Sequence, residues 1–357
     1  MGLPNISVEF KTTAAASVTR SEKGVVGLIL KDANTAVQGK GYAMRTAADT
    51  PSGLDAKNAD CVKRAFMGYV SPPREVIAYV AAQDAADLSG ALGYFATVEV
   101  DYLCGPADCT ASEAQAIAAW VKGRRAEHSI VKAVLPVQAA DDEGIVNFAA
   151  GGIQAGGESF TAAGYCSRIA GLLAGTPMNI SCTFAPLPEV TDIERMTRAE
   201  MDEAIDAGKL ILYHDGEKVK VARGVNSLAT TTQDKGEAFK KIKIVEAVDM
   251  IGHDIRRTLE DGYIGKYANS YDNKCVLISA IKGYLEGLEQ AGVLEAGSSS
   301  VAIDLAAQEA YLKGQGVDTS TMNEQEIKQA GTADQVFIVC TVKILDAIED
   351  ISIHVTI

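Results

Sequence analysis

The residues able to do acid–base, nucleophilic or metal chemistry are scattered along this 357-residue chain. Its histidines lack the spacing of metal ligands, and the four residues between Cys104 and Cys109 (CGPADC) fit neither a CxxC redox pair nor a zinc knuckle. The chain contains no GxSxG elbow, no HExxH, no GxxxxGK(S/T) loop and no GxGxxG after a strand. We therefore predict no catalytic residues, no metal site, no cofactor and no enzyme activity.

Charge and composition exclude several classes of protein. Lys and Arg number 33 and Asp and Glu 47, so phosphate backbones and anionic lipid surfaces would repel a chain of net charge −14. No apolar run reaches the roughly 18 residues that a membrane span needs, and the N-terminal residues lack a secretory signal. The odd set of seven cysteines is typical of buried thiols in a protein made in the cytoplasm.

Each end of the chain carries an isolated period-2 pattern next to a predicted linker, at 11–23 and at 346–350. A strand on such a tether cannot satisfy its own backbone groups. It must pair with a sheet edge on its own body or on another copy, and the residues leave both alternatives open. The alternating apolar residues are Ile6, Val8 and Phe10 at the N-terminal end and Ile351, Ile353, Val355 and Ile357 at the C-terminal end.

Strand-like and helix-like segments alternate between residues 74 and 190, which favours a parallel α/β sheet. Thr110 and Glu113 form a capping box that opens a helix, and another helix is predicted over 161–174. The stretch 31–53, rich in Gly, Thr and Asp, is predicted to be a loop. A strand is predicted at 24–30, and the predicted strands between 74 and 190 are 75–82, 96–103 and 129–135.

Beyond Pro188 the pattern predicts helices and one hairpin. Thr197 and Glu200 open a helix, and Asp215-Gly216 between two strand-like runs is a strong hairpin signal. Further helices are predicted over 244–259, 274–294 and 301–313, and a buried strand over 336–345.

Four stretches resemble the sheath proteins of contractile phage tails and R-type bacteriocins. They are AAGYCSRIAGLLAGTPMNISCTFAPLPEV (162–190), GVNSLATTTQDKGEAFKKIKIVEAVDMIGHDI (224–255), DGYIGKYANSYDNK (261–274) and QVFIVCTVKILDAIEDISIHVTI (335–357). The resemblance extends over about 150–357, whereas residues 31–150 match the family only in general layout.

The resemblance implies an α/β chain with an α+β C-terminal part. A central subtilisin-like domain, without catalytic residues, would be followed by a C-terminal sheath domain with exchanged terminal strand arms. The implied divisions are an arm and linker at 1–23, an N-terminal region at 24–95, the central domain at 96–190, the sheath domain at 191–345, and a linker and arm at 346–357.

The same resemblance implies hexameric rings, stacked helically around a tail tube, that contract to drive the tube through a target cell envelope. The implied partners are other copies of this chain, the tail tube protein, and baseplate and tail terminator proteins, without nucleic acid or membrane insertion. The particle, a phage tail or a phage-tail-like bacteriocin, would be released from the cell. Two alternatives stay open: an α/β hydrolase- or protease-like enzyme, and a tube or baseplate protein.

A locally basic stretch is the candidate for contact with a tail tube. Residues 235–266 carry seven basic and six acidic side chains, a sum of +1 in a chain of −14. In related sheaths a helix of the C-terminal domain faces the tube, and an ordinary solvated helix face is the alternative. The tube-facing candidates are Lys240, Lys241, Lys243, Arg256 and Arg257.

Overall fold

The computed structural model describes residues 17–18 and 23–356, which fall into two compact units. The described part of the first unit is 23–251 with 345–356, so the C-terminal segment belongs to the unit that the earlier part of the chain forms. The described part of the second unit is 252–344 with 17–18.

Helices and strands alternate along the first unit, as predicted. The strands are β1 (Val25–Asp32), β2 (Lys40–Met44), β3 (Glu75–Ala82), β4 (Tyr102–Cys104), β5 (Lys132–Pro136), β6 (Ile145–Phe148), β7 (Ile153–Ala155), β8 (Glu158–Phe160), β9 (Val190–Asp192), β10 (Lys209–Leu210), β11 (Leu212–His214) and β12 (Val219–Val221). The helices are α1 (Ala56–Phe66), α2 (Ser89–Phe95), α3 (Ala111–Ala126), α4 (Ala162–Ala174) and α5 (Arg198–Asp206), with 3-10 turns at Ala47–Asp49 and Glu237–Lys240.

A seven-stranded sheet lies at the centre of the described part of this unit, in the order β10-β6-β5-β4-β1-β3-β2. Its neighbours pair in parallel, except that the edge strand β2 runs antiparallel to β3. Smaller sheets join β8, β7 and β9, and pair β11 with β12 around the predicted hairpin turn. The mostly parallel sheet confirms the predicted α/β class.

The sheet is buried on both faces, which explains its nearly continuous apolar strands. Leu28 belongs to the core cluster shared with α1 and α4, whereas its neighbour Ile29 belongs to the cluster shared with α2 and α3. Helices α1 and α4 pack so closely that a Cβ atom at Gly171 would lie 1.9 Å from the carbonyl oxygen of Ala65. Glycine at this position is what permits the approach of the two helices.

Helix α6 (Ile242–Gly262) begins in the first unit and ends in the second. The second unit continues with α7 (Tyr271–Gln290), β13 (Ser300–Ile303), α8 (Leu305–Gly314), α9 (Glu324–Gln329) and β14 (Ile338–Thr341). Strands β13 and β14 form a two-stranded antiparallel ribbon. None of the helices built from the described residues is long and apolar enough to cross a membrane.

A buried lysine organises the second unit. Lys274, near the start of α7, donates hydrogen bonds to Gln308 Oε1 on α8 at 3.4 Å and to Thr332 Oγ1 at 3.0 Å. Burial lowers the pKa of Lys274. These bonds connect α7, α8 and the turn that precedes β14, so the polar network fixes the position from which β14 begins.

Four predicted elements differ from the structure. The strand predicted over 96–103 is reduced to β4, because the N–H groups of Ala96 and Thr97 donate to the carbonyl groups of Leu92 and Tyr94 at the end of α2. The stretch 31–53 contains the edge strand β2, whose Gly41 and mixed polarity hide a strand pattern. In 301–313 the first residues form β13 and only the rest is helical, because Asp304 caps α8 at Ala307. The strand predicted to be buried over 336–345 is β14, which is largely exposed, with Val339 at 45%. An apolar run in the sequence does not reveal whether its side chains are buried in the chain's own core or lie at its surface.

The compact units do not follow the predicted divisions at 95/96 and 190/191. The seven-stranded sheet takes β1 to β3 from 24–95, β4 to β6 from 96–190 and β10 from 191–345. Strand β4 pairs directly with β1, so these stretches share one sheet. The two units divide instead within α6, at residues 251 and 252.

Candidate assembly surfaces

The C-terminal segment is tied to the first unit from residue 345 to residue 350. Lys243 donates a hydrogen bond to the backbone carbonyl oxygen of Leu345, and Lys241 forms an ion pair with Asp346. At the far end of the segment, Arg223 forms an ion pair with Asp350. The stretch predicted to be a free linker is therefore held in place.

Glu349 is the centre of this attachment, and its side chain is only 7% exposed. One carboxylate oxygen, Oε1, accepts a hydrogen bond from Thr183 Oγ1 at 2.6 Å and lies 3.2 Å from Ser181 Oγ. The other, Oε2, lies 3.1 Å from Arg223 Nε and 3.3 Å from Lys241 Nζ. Partly buried bonds between charged groups are stronger than neutral ones, so this carboxylate fixes the segment firmly.

The pKa of Glu349 reflects the same contacts. Burial raises the pKa, but the hydrogen bonds from Thr183 and Arg223 and the charge of Lys241 outweigh burial and hold it below its ordinary value. A carboxyl group with a lowered pKa contributes stability above its ordinary pKa and loses it as the pH falls through the lowered value. The attachment is therefore complete at neutral pH.

Beyond Asp350 the chain is extended and exposed. Ile351, Ile353 and Val355 are 73%, 77% and 80% exposed, and residues 351–356 belong to no strand of the described structure. The predicted arm residue Ile357 and the predicted N-terminal arm residues Ile6, Val8 and Phe10 lie outside the described residues.

The β13–β14 ribbon is an incompletely covered sheet. Within the described residues no third strand pairs with either of its edges. β14 exposes Val339, and Val336 just before it is 42% exposed. Unpaired edges with exposed apolar side chains are sites where another strand can add.

The five predicted tube-facing side chains do not form one exposed set. Lys241 and Lys243 hold the C-terminal segment, and Lys243 is buried, which removes it from a contact surface. Lys240 is paired with Glu237 at 3.0 Å. Arg256 and Arg257, further along α6, are exposed. The positions were visible as a basic cluster, but the acidic partners of Lys241 lie more than 100 residues away in sequence.

A buried network of charges fastens the start of α6 to the sheet. Glu246 accepts a hydrogen bond from the Tyr102 hydroxyl group and lies 3.7 Å from Lys132 Nζ. Lys132 also pairs with Asp249 at 3.2 Å, and Arg125 holds Asp249 with two bonds, at 2.8 and 2.9 Å. Tyr102 and Lys132 are register partners on β4 and β5, so the network joins two strands to one helix.

Neighbouring opposite charges favour the ionised forms of Glu246 and Lys132. Burial raises the pKa of Glu246, but the nearby charges of Lys23 and Lys132 outweigh it and lower the pKa. Burial likewise lowers the pKa of Lys132, and Glu246 and Asp249 more than reverse that effect. Each charge therefore depends on the others for its solvation.

Ligands of open α/β sheets usually bind where the strand order reverses, which here is the carboxyl end of β1. Asp32 ends β1 and accepts hydrogen bonds from the Asn34 and Asp55 N–H groups at 2.9 and 2.8 Å and from Asn58 Nδ2 at 3.0 Å. These polar groups therefore satisfy one another. No group of three or more His, Cys, Asp or Glu in the described part of the chain is placed to hold a metal ion.

Comparison with known proteins shows the family. Residues 77–227 match the phage tail sheath protein central domain, and 234–357 match the phage tail sheath C-terminal domain. A tail sheath protein of Clostridium phage phiCD119 is 39% identical, over 99% of each chain. The chain belongs to the phage tail sheath protein family. Like its relatives in that family, it is a structural subunit of a tail sheath, which confirms the function that the resemblance implied.

Solved sheath structures share the fold. The helical sheath of the anti-feeding prophage in its contracted state gives a TM-score of 0.74 at 16% identity, covering 100% of this chain and 99% of that one. A sheath tail protein from Desulfitobacterium hafniense gives 0.70 at 17% identity, covering 84% and 94%. The likeness to solved sheath structures therefore extends over both compact units, including α6, the β13–β14 ribbon and the C-terminal segment.

Proposed function

We propose that this sheath protein assembles into hexameric rings, stacked helically around a tail tube, and that the sheath contracts to drive the tube through a target cell envelope. The observation that carries the proposal is the C-terminal segment, which is tied down as far as Asp350 and exposed beyond it. Within the described part of the chain, nothing pairs with the backbone of residues 351–356. An extended segment with alternating apolar side chains and unpaired backbone needs a sheet from elsewhere.

The acceptor that we propose is the β13–β14 ribbon of another copy. Its open edges and the exposed Val339 suit an added strand. Each backbone hydrogen bond contributes only about 0.5–1.5 kcal/mol net, but several bonds per arm, repeated in every subunit, give a cohesive lattice. The N-terminal residues Ile6, Val8 and Phe10 would pair in the same manner.

The remaining partners follow from this role. The tail tube protein would lie inside the sheath, and baseplate and tail terminator proteins would lie at its ends. The subunit would be made in the bacterial cytoplasm and released within a phage tail or phage-tail-like particle. The seven-stranded sheet, with helices on both faces, supports a subtilisin-like topology for the central domain, used here as a scaffold without enzyme activity.

Electron microscopy of the purified full-length protein tests the proposal. We expect negatively stained tubes with six-fold helical symmetry, formed by the protein alone at high concentration and around tube protein when that is added. A protein lacking residues 351–357 is the control. A full-length protein that stays monomeric at every concentration, or that forms only irregular aggregates, would contradict the assembly.

Arg256 and Arg257 are the tube contacts that we propose from the original five candidates. Changing both to Glu is expected to weaken co-sedimentation with tube protein at low salt, because exposed pairs contribute about 0–1 kcal/mol each and are screened by salt. The matched control is Arg195→Glu with Arg198→Glu, the same charge change on exposed side chains. Equal binding by the two double variants across a salt series would show that α6 does not contact the tube through these arginines.

A further inference from the structure

The N-terminal end of the first unit is fixed on α6. Lys23 forms an ion pair with Glu246 and donates a hydrogen bond to the Leu173 carbonyl oxygen at 3.2 Å. The next two backbone N–H groups, of Gly24 and Val25, donate to Asp101 Oδ2 at 2.7 and 2.8 Å. The chain therefore enters β1 from a fixed position at Lys23.

The C-terminal segment is fixed on the same turn of the same helix. Lys243, which holds the Leu345 carbonyl group, precedes Glu246 by three residues. Residues three apart lie on one face of a helix, with about 5–6 Å between their Cβ atoms. Lys23, Lys243 and Glu246 also line one small crevice. Lys23 and the point at Leu345 where the C-terminal segment joins the first unit are thus neighbours.

We propose that residues 241–246, which are Lys241 and the first turn of α6, are a common anchor for the chain segments that lead into both terminal arms, an inference that rests on the proposed role of those arms in the sheath. Glu246 holds the chain at Lys23, where the segment that leads into the N-terminal arm begins. Lys241 and Lys243 hold the segment that leads into the C-terminal arm, and Glu349 makes the contacts that close this attachment, which we call the lock. The free C-terminal arm then begins at Ile351, and residues 346–350 stay on the body of the subunit when the arm is pulled.

Cleavage by a glutamyl endopeptidase tests the C-terminal half of the anchor. The protease must bind the glutamate side chain, so Glu349 can be cut only when it leaves its partners. We expect the dilute full-length protein to resist loss of residues 350–357, measured by intact mass. Lys241→Met and Thr183→Val should each speed this cleavage about tenfold, which corresponds to about 1.4 kcal/mol, because cleavage follows the population of the open form.

Two controls keep this measurement specific. Arg198→Met removes an exposed ion pair on α5 and should leave cleavage after Glu349 unchanged. Circular dichroism establishes that each variant is folded, and either of the two anchor variants suffices if the other does not fold. Wild-type protein that loses residues 350–357 as fast as the folded anchor variants would overturn the proposal.

The N-terminal half has a matching test with a lysine-specific protease. Glu246→Gln removes the charge opposite Lys23 while it keeps an acceptor for Tyr102. It should speed cleavage after Lys23 several-fold more than cleavage after Glu349, because the accompanying change in the network around Lys132 acts on the whole first unit. Unchanged cleavage after Lys23 would overturn the shared anchor. These results are independent of the sheath assembly: protection without tube formation counts against the proposed function, whereas tube formation without protection counts against the anchor alone.

Discussion

Removal of residues 351–357 is expected to leave a folded subunit that no longer assembles into tubes. The side chains of Ile351, Ile353 and Val355 are mostly exposed and lie beyond the lock at Glu349, so the deletion spares both described core clusters. Changes at such positions usually alter the free energy of unfolding by about 0.5 kcal/mol or less. The thermal midpoint from circular dichroism should therefore shift by about 2 °C or less, while negative-stain microscopy shows no tubes.

Substitutions within the arm distinguish the contribution of its apolar side chains to assembly from that of its backbone hydrogen bonds. Changing Ile351, Ile353 and Val355 together to Thr keeps strand propensity but removes apolar surface, and should weaken assembly. The control changes Ser352 and Thr356, on the opposite face of the arm, to Ala. Its assembly should be closer to that of wild type than the assembly of the triple Thr variant. A truncated protein that polymerises normally, or one that unfolds, would show that the C-terminal residues are not an assembly arm.

Lys132→Met is expected to destabilise the first unit by about 3–5 kcal/mol, because removing one partner of a buried ionic network leaves the remaining charges without solvation. The Lys132 side chain is 4% exposed, and its loss would leave Glu246 and Asp249 buried with one cation fewer. Urea unfolding, followed by the fluorescence of the chain's one tryptophan, Trp120 on α3, measures the change.

Lys63→Met provides the comparison for that measurement. Lys63 forms an ion pair with Asp60 at 2.9 Å on α1, and both side chains are exposed. Its removal should change the free energy of unfolding by about 0–1 kcal/mol. If the two lysine variants unfold at the same urea concentration, the network around Glu246 contributes no more than a surface ion pair.

Local signals in the sequence predicted much of the fold. The capping boxes Thr110–Glu113 and Thr197–Glu200 both form, and the Asp215-Gly216 turn joins β11 to β12. These features depend on residues within four positions of one another, so the sequence pattern carries them directly. Strand β3 coincides with its predicted range for a similar reason, since a long apolar run between turn residues specifies a buried strand.

The candidate surfaces were harder to predict because they depend on distant pairs. Lys241 and Lys243 were recognised as basic, but their partners on the C-terminal segment lie about 100 residues further along the chain. Glu349 lies in the stretch predicted to be a linker, and only the fold brings Thr183 and Arg223 to it. Composition gives the charge of a segment, whereas its partners are set by topology.

The position of Glu349 fixes where the exposed C-terminal arm begins. With the lock closed, residues 351–357 span at most about 25 Å, at roughly 3.3–3.6 Å per residue. A strand formed by these residues would then limit the distance between neighbouring subunits, because the paired subunits could separate no further than this length allows. Adding one residue between Asp350 and Ile351 would also turn every apolar side chain of the arm to the opposite face of the added strand. The reach from one subunit to the next would therefore depend on the residues beyond this attachment, independently of the size of the domains that they connect.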